Sequence, residues 1–108
     1  MDLVKRFEVY LVNLDPTLGR EMKKTRPCVV ISPDVMNKQD WIVIIAPLTS
    51  TQKNYPTRVP CAFQGKQGDI ALEYLRSVDC DRLIRKVSEI SSTEALQISS
   101  ILREMFAL

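Results

Sequence analysis

A chain of 108 residues, 45% hydrophobic and with a net charge of +2, has room for one core and one domain over residues 1–108. With 3 glycines and 6 prolines it is neither disordered nor low in complexity, and its charge is too mild to mark a nucleic-acid binder by itself. Histidine is missing altogether, which excludes Ser-His-Asp and Cys-His sites, two-histidine ribonuclease chemistry and histidine-ligated zinc.

Phe7 to Leu14 alternates apolar and polar residues and predicts a first strand, ended by the turn signal Asp15-Pro16-Thr17-Leu18-Gly19. A charged loop follows, in which Arg20, Glu21, Lys23, Lys24 and Arg26 would repel one another unless an anion sat among them. Pro27 has no N–H for a ladder and suits the first residue of a second, buried strand, Cys28-Val29-Val30-Ile31. Ser32-Pro33-Asp34 breaks that strand, and a short helical turn is expected over Asp34 to Lys38. Trp41 to Ala46 is a continuous apolar run, expected as the central buried strand with Trp41 in the core or an interface. Pro47 stands at its exit, and Leu48-Thr49-Ser50-Thr51 opens a polar loop.

Thr57 to Phe63 reads as a strand that Pro60 confines to the neighbourhood of an edge. A turn over Gln64 to Gly68, a short strand over Asp69 to Leu72, a helical turn over Asp79 to Leu83 and a last strand over Arg85 to Ile90 come next. Ser91 lies three residues ahead of Glu94 in a capping-box pattern, and Ala95, Ile98, Leu102 and Met105 step at helical spacing as far as Phe106. That stripe is expected to be core or dimer surface. Short strands without strand–helix alternation predict a mostly β fold with α, a small antiparallel barrel closed by a C-terminal amphipathic helix.

Cys28, Cys61 and Cys80 share no C-x-x-C spacing and have no base to activate them. They are expected as reduced thiols of a cytoplasmic protein, Cys28 and Cys61 in the core. No apolar run nears the roughly 20 residues that cross a bilayer, and no secretory signal is evident.

Taken together, these residues resemble the MazF/PemK family of bacterial toxin endoribonucleases. The resemblance begins at Val9-Tyr10-Leu11-Val12-Asn13-Leu14-Asp15-Pro16 and continues through Gly19-x-Glu21 and Arg26-Pro27-x-Val29-Val30. It extends to Pro47-Leu48-Thr49-Ser50 and Leu75-Arg76-Ser77-Val78-Asp79-x-x-Arg82-Leu83. It implies an SH3-like barrel acting as a homodimer, and ribosome-independent, metal-independent cleavage of single-stranded RNA at a short sequence. It also implies an antitoxin whose disordered tail lies across the RNA groove, and products with a 2′,3′-cyclic phosphate or 3′-phosphate and a 5′-hydroxyl. No cofactor is expected. Two positions depart from the family pattern: Phe7 replaces a glycine in the opening R-G-[DE]-[IV], and Glu73-Tyr74 replaces a D-Q pair.

Such cleavage needs a group to take the 2′-hydroxyl proton, one to stabilise the phosphorane and one to protonate the leaving 5′-oxygen. Arg26 is expected at the phosphorane, because a guanidinium grips two phosphate oxygens, while its high pKa bars it from acting as a base. Thr49 is expected to donate its hydroxyl to a non-bridging oxygen, its alternative being a turn-forming threonine. Glu21 is expected to orient Arg26 and to serve as a weak base. Arg20, Lys23, Lys24 and Ser50 are candidate RNA contacts, the three cations through phosphate. Tyr55 and Tyr74 offer faces for unpaired bases, and the resemblance implies that Glu73 stands at a site of base contact or catalysis. Arg76 is expected either to bind RNA or to brace the loop through Glu73 or Asp79, with Asp79 and Arg82 bracing the fold. Two rivals stand beside this reading: a CcdB-like gyrase inhibitor, disfavoured because the helix ends Glu104-Met105-Phe106-Ala107-Leu108 without a tryptophan, and an inactive toxin homologue that only binds an antitoxin.

Overall fold

The computed structural model describes residues 3–108. Seven strands form one curled antiparallel sheet, a half-barrel: β1 (Glu8–Asn13), β2 (Thr25–Val30), β3 (Ile42–Thr49), β4 (Arg58–Phe63), β5 (Lys66–Ala71), β6 (Arg76–Asp79) and β7 (Leu83–Glu89). Their order is β4-β5-β3-β2-β1-β7, with β6 on the first half of β3. Helix α1 (Asp34–Asp40) links β2 to β3, and helix α2 (Ser92–Phe106) ends the chain. No described helix is long and apolar enough to cross a membrane.

The central strands are apolar on both faces because each face meets its own core. Tyr10, Val12, Cys28, Val30, Val43 and Ile45 pack into one cluster with Val78 and Leu83. The intervening Val9, Val29, Ile31, Ala46 and Leu48 pack into a second with Val59, Ile70, Leu72 and Ile98. Ile98 is the buried anchor of the α2 stripe, and Ile101, Leu102 and Met105 pack beside it. The expected cap closes the helix start: Ser91 Oγ accepts from the Glu94 N–H at 3.1 Å, and Glu94 Oε1 accepts from the Ser91 N–H at 2.9 Å. All three cysteines are buried and free, as expected for Cys28 and Cys61.

Several boundaries differ from the sequence expectation. Trp41 is not in the central strand or the core: it caps α1 in the left-handed region at φ 56°, is 43% exposed, and donates Nε1 to Asp81 Oδ1 at 3.1 Å. The chain must reverse there to enter β3, and local apolarity carries no trace of that turn. Pro47 does not end β3, which runs on through Thr49. β3 changes partner around it, from β6 at Ile42–Ile45 to β5 at Leu48 and Thr49. Likewise β2 starts at Thr25 and holds Arg26 in the strand; Pro27 pairs with β1 alone, since β3 joins only from Cys28. β4 lies at the sheet edge, as Pro60 required. The expected five-residue turn is a two-residue hairpin, Gln64 and Gly65 at φ 51° and 78°, which lengthens β5. β6 was not anticipated.

Candidate active site

The charged loop is a closed structure pinned at its base. Gly19 takes φ 57°, and the turn is shut by the Glu21 N–H donating to the Leu18 carbonyl at 3.1 Å and by Glu21 Oε1 accepting from the Leu18 N–H. The Lys24 N–H donates to Asp15 Oδ1 at 3.0 Å, and the Leu14 N–H donates to the Lys24 carbonyl at 3.0 Å. Arg76 Nη1 reaches the Leu14 carbonyl at 3.2 Å, and Arg82 Nη1 reaches the carbonyls of Asn13 and Asp15. Arg76 thus braces the loop through a carbonyl and not through Glu73 or Asp79, and it also lines a small cleft beside Glu21 and Tyr74. Asp79 accepts from the Asp81 N–H at 2.8 Å and caps the 3-10 turn Cys80–Arg82.

This framework sets Arg26 at the mouth of β2. Its Nε donates to the Lys23 carbonyl at 3.1 Å, which fixes the plane of the guanidinium and leaves the terminal nitrogens for a ligand. Glu21 does not orient it: among the described residues no ion pair joins the two, because the Glu21 carboxylate is turned onto its own loop. Thr49 ends β3. The β2–β3 register pairs Cys28 with Pro47; carried two residues further, it puts Arg26 across from Thr49. The buried Thr49 hydroxyl accepts from the Thr51 N–H at 3.2 Å, so its own proton remains available to donate.

Two open clefts meet on this pair. One, of about 410 Å³, has Pro27, Leu48, Cys61 and Phe63 among its walls, with Ser50 and Lys66 also lining it. The other, of about 440 Å³, is lined by Arg20, Glu21, Tyr74, Thr51, Lys53 and Arg58 among others. Lys23, Lys24, Arg26 and Thr49 line both. The structure thus gathers Arg20, Glu21, Lys23, Lys24, Arg26, Thr49, Ser50 and Tyr74 around one groove. Among the described residues none of Arg20, Lys23, Lys24 and Arg26 has an ion pair, so no carboxylate is paired directly with the cationic rim. Burial pushes the Cys28 thiol up to about 12, against the opposing pull of Arg26 and Arg76, and pushes Cys61 in the cleft wall to about 11. Neither is a thiolate near neutral pH.

Two expected contacts line neither of these clefts, although Glu73 lines a smaller one beside Glu21 and Tyr74. Glu73, expected at a base, spends both carboxylate oxygens inside the protein, on Thr57 Oγ1 at 2.9 Å and Arg58 Nε at 2.7 Å. Tyr55 lines neither cleft; its half-exposed ring lies 5.3 Å from Lys53 Nζ and 5.4 Å from Arg58 Cζ. Sequence reasoning missed Lys53, Arg58 and Asp69. Arg58 Nη1 binds buried Asp69 at 3.1 Å and the Thr51 carbonyl at 3.1 Å, which holds the loop between β3 and β4. The available signal was a lone cation in one apolar strand and a lone anion in the next. Among the described residues, no three acids, cysteines or histidines cluster as metal ligands.

A family model described as PemK-like, MazF-like toxin of type II toxin-antitoxin system matches residues 5–106. The chain is similar to Endoribonuclease MazF of Staphylococcus epidermidis, 31% identical over 106 residues that cover 93% of this chain and 88% of that protein. It is also similar to Endoribonuclease MazF9 of Mycobacterium tuberculosis, 32% identical over 111 residues covering 94% of each. Its fold resembles the crystal structure of MazF (Form-I) from Deinococcus radiodurans with a TM-score of 0.87, 23% identity and full coverage of both chains. A MazE-MazF structure (Form-II) from the same organism matches with a TM-score of 0.82 and 23% identity, over 100% of this chain and 99% of that one. The two-cleft groove with Arg26 and Thr49 at its junction therefore sits on a toxin scaffold: the chain belongs to the PemK-like, MazF-like toxins of type II toxin–antitoxin systems.

Proposed function

We propose that this toxin is an endoribonuclease that cuts single-stranded RNA at a short sequence, using the 2′-hydroxyl beside the scissile phosphate and no metal ion. The observation that carries the proposal is the meeting of Arg26 and Thr49 where two cation-rimmed clefts join. An RNA strand passing through both clefts puts one phosphate at that junction and flanking bases on either side. The terminal nitrogens of Arg26 and the Thr49 hydroxyl then face the non-bridging oxygens, whose charge grows in the phosphorane. Glu21 Oε1 is held by the Leu18 N–H, and its other oxygen takes the 2′-hydroxyl proton. The 2′-oxygen bonds to phosphorus, the bond to the 5′-oxygen breaks, and the leaving oxygen takes a proton from water in the open groove. A 2′,3′-cyclic phosphate and a 5′-hydroxyl result. Arg20, Lys23, Lys24 and Lys53 hold the strand through phosphates, and Tyr74 stacks on a base.

The toxin family supplies the rest of the reading: a homodimer in the cytoplasm, neutralised by a cognate antitoxin that competes with RNA for the groove. The solved MazE-MazF complex on this fold supports such a partner. The test is incubation of the purified chain with a defined single-stranded RNA in excess EDTA, with both new ends mapped. Cuts at one motif, lost in Arg26→Ala and lost again when the 2′-hydroxyl at the cut is replaced by hydrogen, are expected. Persistent cutting of the 2′-deoxy substrate would end the proposal.

A further inference from the structure

Thr49 stands at the end of a strand, with one side chain of its own to hold it, yet its hydroxyl must be set within a fraction of an ångström. The structure shows what surrounds it. Thr49 pairs with Asp69 on β5, and the adjacent Gly68 lies so close that a Cβ there would collide with the Thr49 carbonyl oxygen and stand 3.3 Å from its carbon and 3.5 Å from Ser50 Cα. Gly68 has no positive φ to explain its identity; the close approach is the reason. Beyond Thr49 the chain is caught twice more. The Thr51 carbonyl accepts from Arg58 Nη1 at 3.1 Å, and the Lys53 N–H donates to Asp69 Oδ2 at 2.9 Å. Arg58 and Asp69 are themselves buried against each other.

We infer that the β4–β5 hairpin is the seat of Thr49: Gly68 admits its carbonyl, the Asp69–Arg58 pair fixes the segment behind it, and all three are positioning residues for cleavage. The inference rests on the RNA-cleaving role of Thr49 proposed above. None of the three needs to touch the scissile phosphate. They act by fixing where the Thr49 hydroxyl points, and a misplacement of about 1 Å costs about 100-fold in rate.

The experiment is a double-mutant cycle on kcat, using Thr49→Ala with Gly68→Ala and, separately, with Asp69→Asn. Asparagine keeps an acceptor for Lys53 but drops the charge facing Arg58, so it carries the test should Gly68→Ala fail to fold. Urea unfolding establishes which variants are folded. Binding is read with an oligonucleotide bearing a 2′-deoxy residue at the cut. Expected are a loss of about 100-fold in kcat for Gly68→Ala, unchanged binding of the 2′-deoxy oligonucleotide, and double mutants no slower than Thr49→Ala alone. Losses that multiply in the double mutants, or wild-type kcat in both hairpin variants, overturn the inference while leaving the cleavage reading intact. A wild-type chain that leaves RNA whole overturns the cleavage reading and this inference with it.

Discussion

Replacing Arg58 by methionine removes the cation from a junction of three oxygens: Glu73 Oε2 at 2.7 Å, Asp69 Oδ2 at 3.1 Å and the Thr51 carbonyl at 3.1 Å. The consequences for the two acids differ. The Glu73 side chain is 27% exposed and recovers water, whereas that of Asp69 is 2% exposed and keeps, among the described residues, only the Lys53 N–H. One uncompensated buried carboxylate therefore sets the cost, at the lower end of the range for broken buried pairs, about 3 kcal/mol. For a domain of this size that lowers Tm by about 12 °C. The assay is urea unfolding at one fixed protein concentration, alongside Arg103→Met on the exposed face of α2, which should shift stability by less than about 0.5 kcal/mol. Arg58→Met/Asp69→Leu, which removes both charges, should recover more than half of the loss. A single mutant no weaker than Arg103→Met, or a double mutant weaker than the single, would refute the reasoning.

Three further outcomes are expected. Arg26→Lys should keep RNA binding but lose about 100-fold in kcat, because a point charge cannot reproduce the fork held by the Lys23 carbonyl; single-turnover cleavage reads it. Since burial raises Cys28 to about 12 and Cys61 to about 11 from 9.0, the folded chain keeps thiol protons that the unfolded chain gives up. Stability, intact below pH 9, should then fall by about 1.4 kcal/mol per pH unit for each thiol, up to about pH 11 for Cys61 and about 12 for Cys28, and Cys28→Ala/Cys61→Ala should flatten the slope of the urea midpoint against pH. Ser91→Ala should cost about 1 kcal/mol by deleting the helix cap, measured by thermal unfolding.

The strands with strong apolar runs and the capped helix were legible in sequence, since burial and helix starts leave marks within a few residues. What escaped was set by partners far along the chain. Arg76-Ser77-Val78-Asp79 becomes β6 only because Ile42–Ile45 lies open to pair with it. Pro47 looked like a strand end, and is tolerated because the ladder changes hands there. That Arg26, Thr49 and Glu21 lie along one groove was readable from their chemistry and order, whereas the turning of Glu21 onto its own loop, away from Arg26, was not. The Arg58–Asp69 contact was not, being a diagonal across β4 and β5, where Arg58 faces Ala71 and Asp69 faces Pro60.

The doubly covered centre of the sheet has a consequence for where this protein can evolve. Val9, Tyr10 and Val12, Cys28 to Val30 and Val43 to Ala46 have no watery side on which a new polar group could be tried without emptying one hydrophobic layer or the other. Innovation is driven outward to strand tips, and antiparallel threading delivers the entrance of β2 and the exit of β3 to a single rim. A change in what this scaffold recognises should therefore be written in the loops and hairpins bordering that rim, while the woven middle stays as it is.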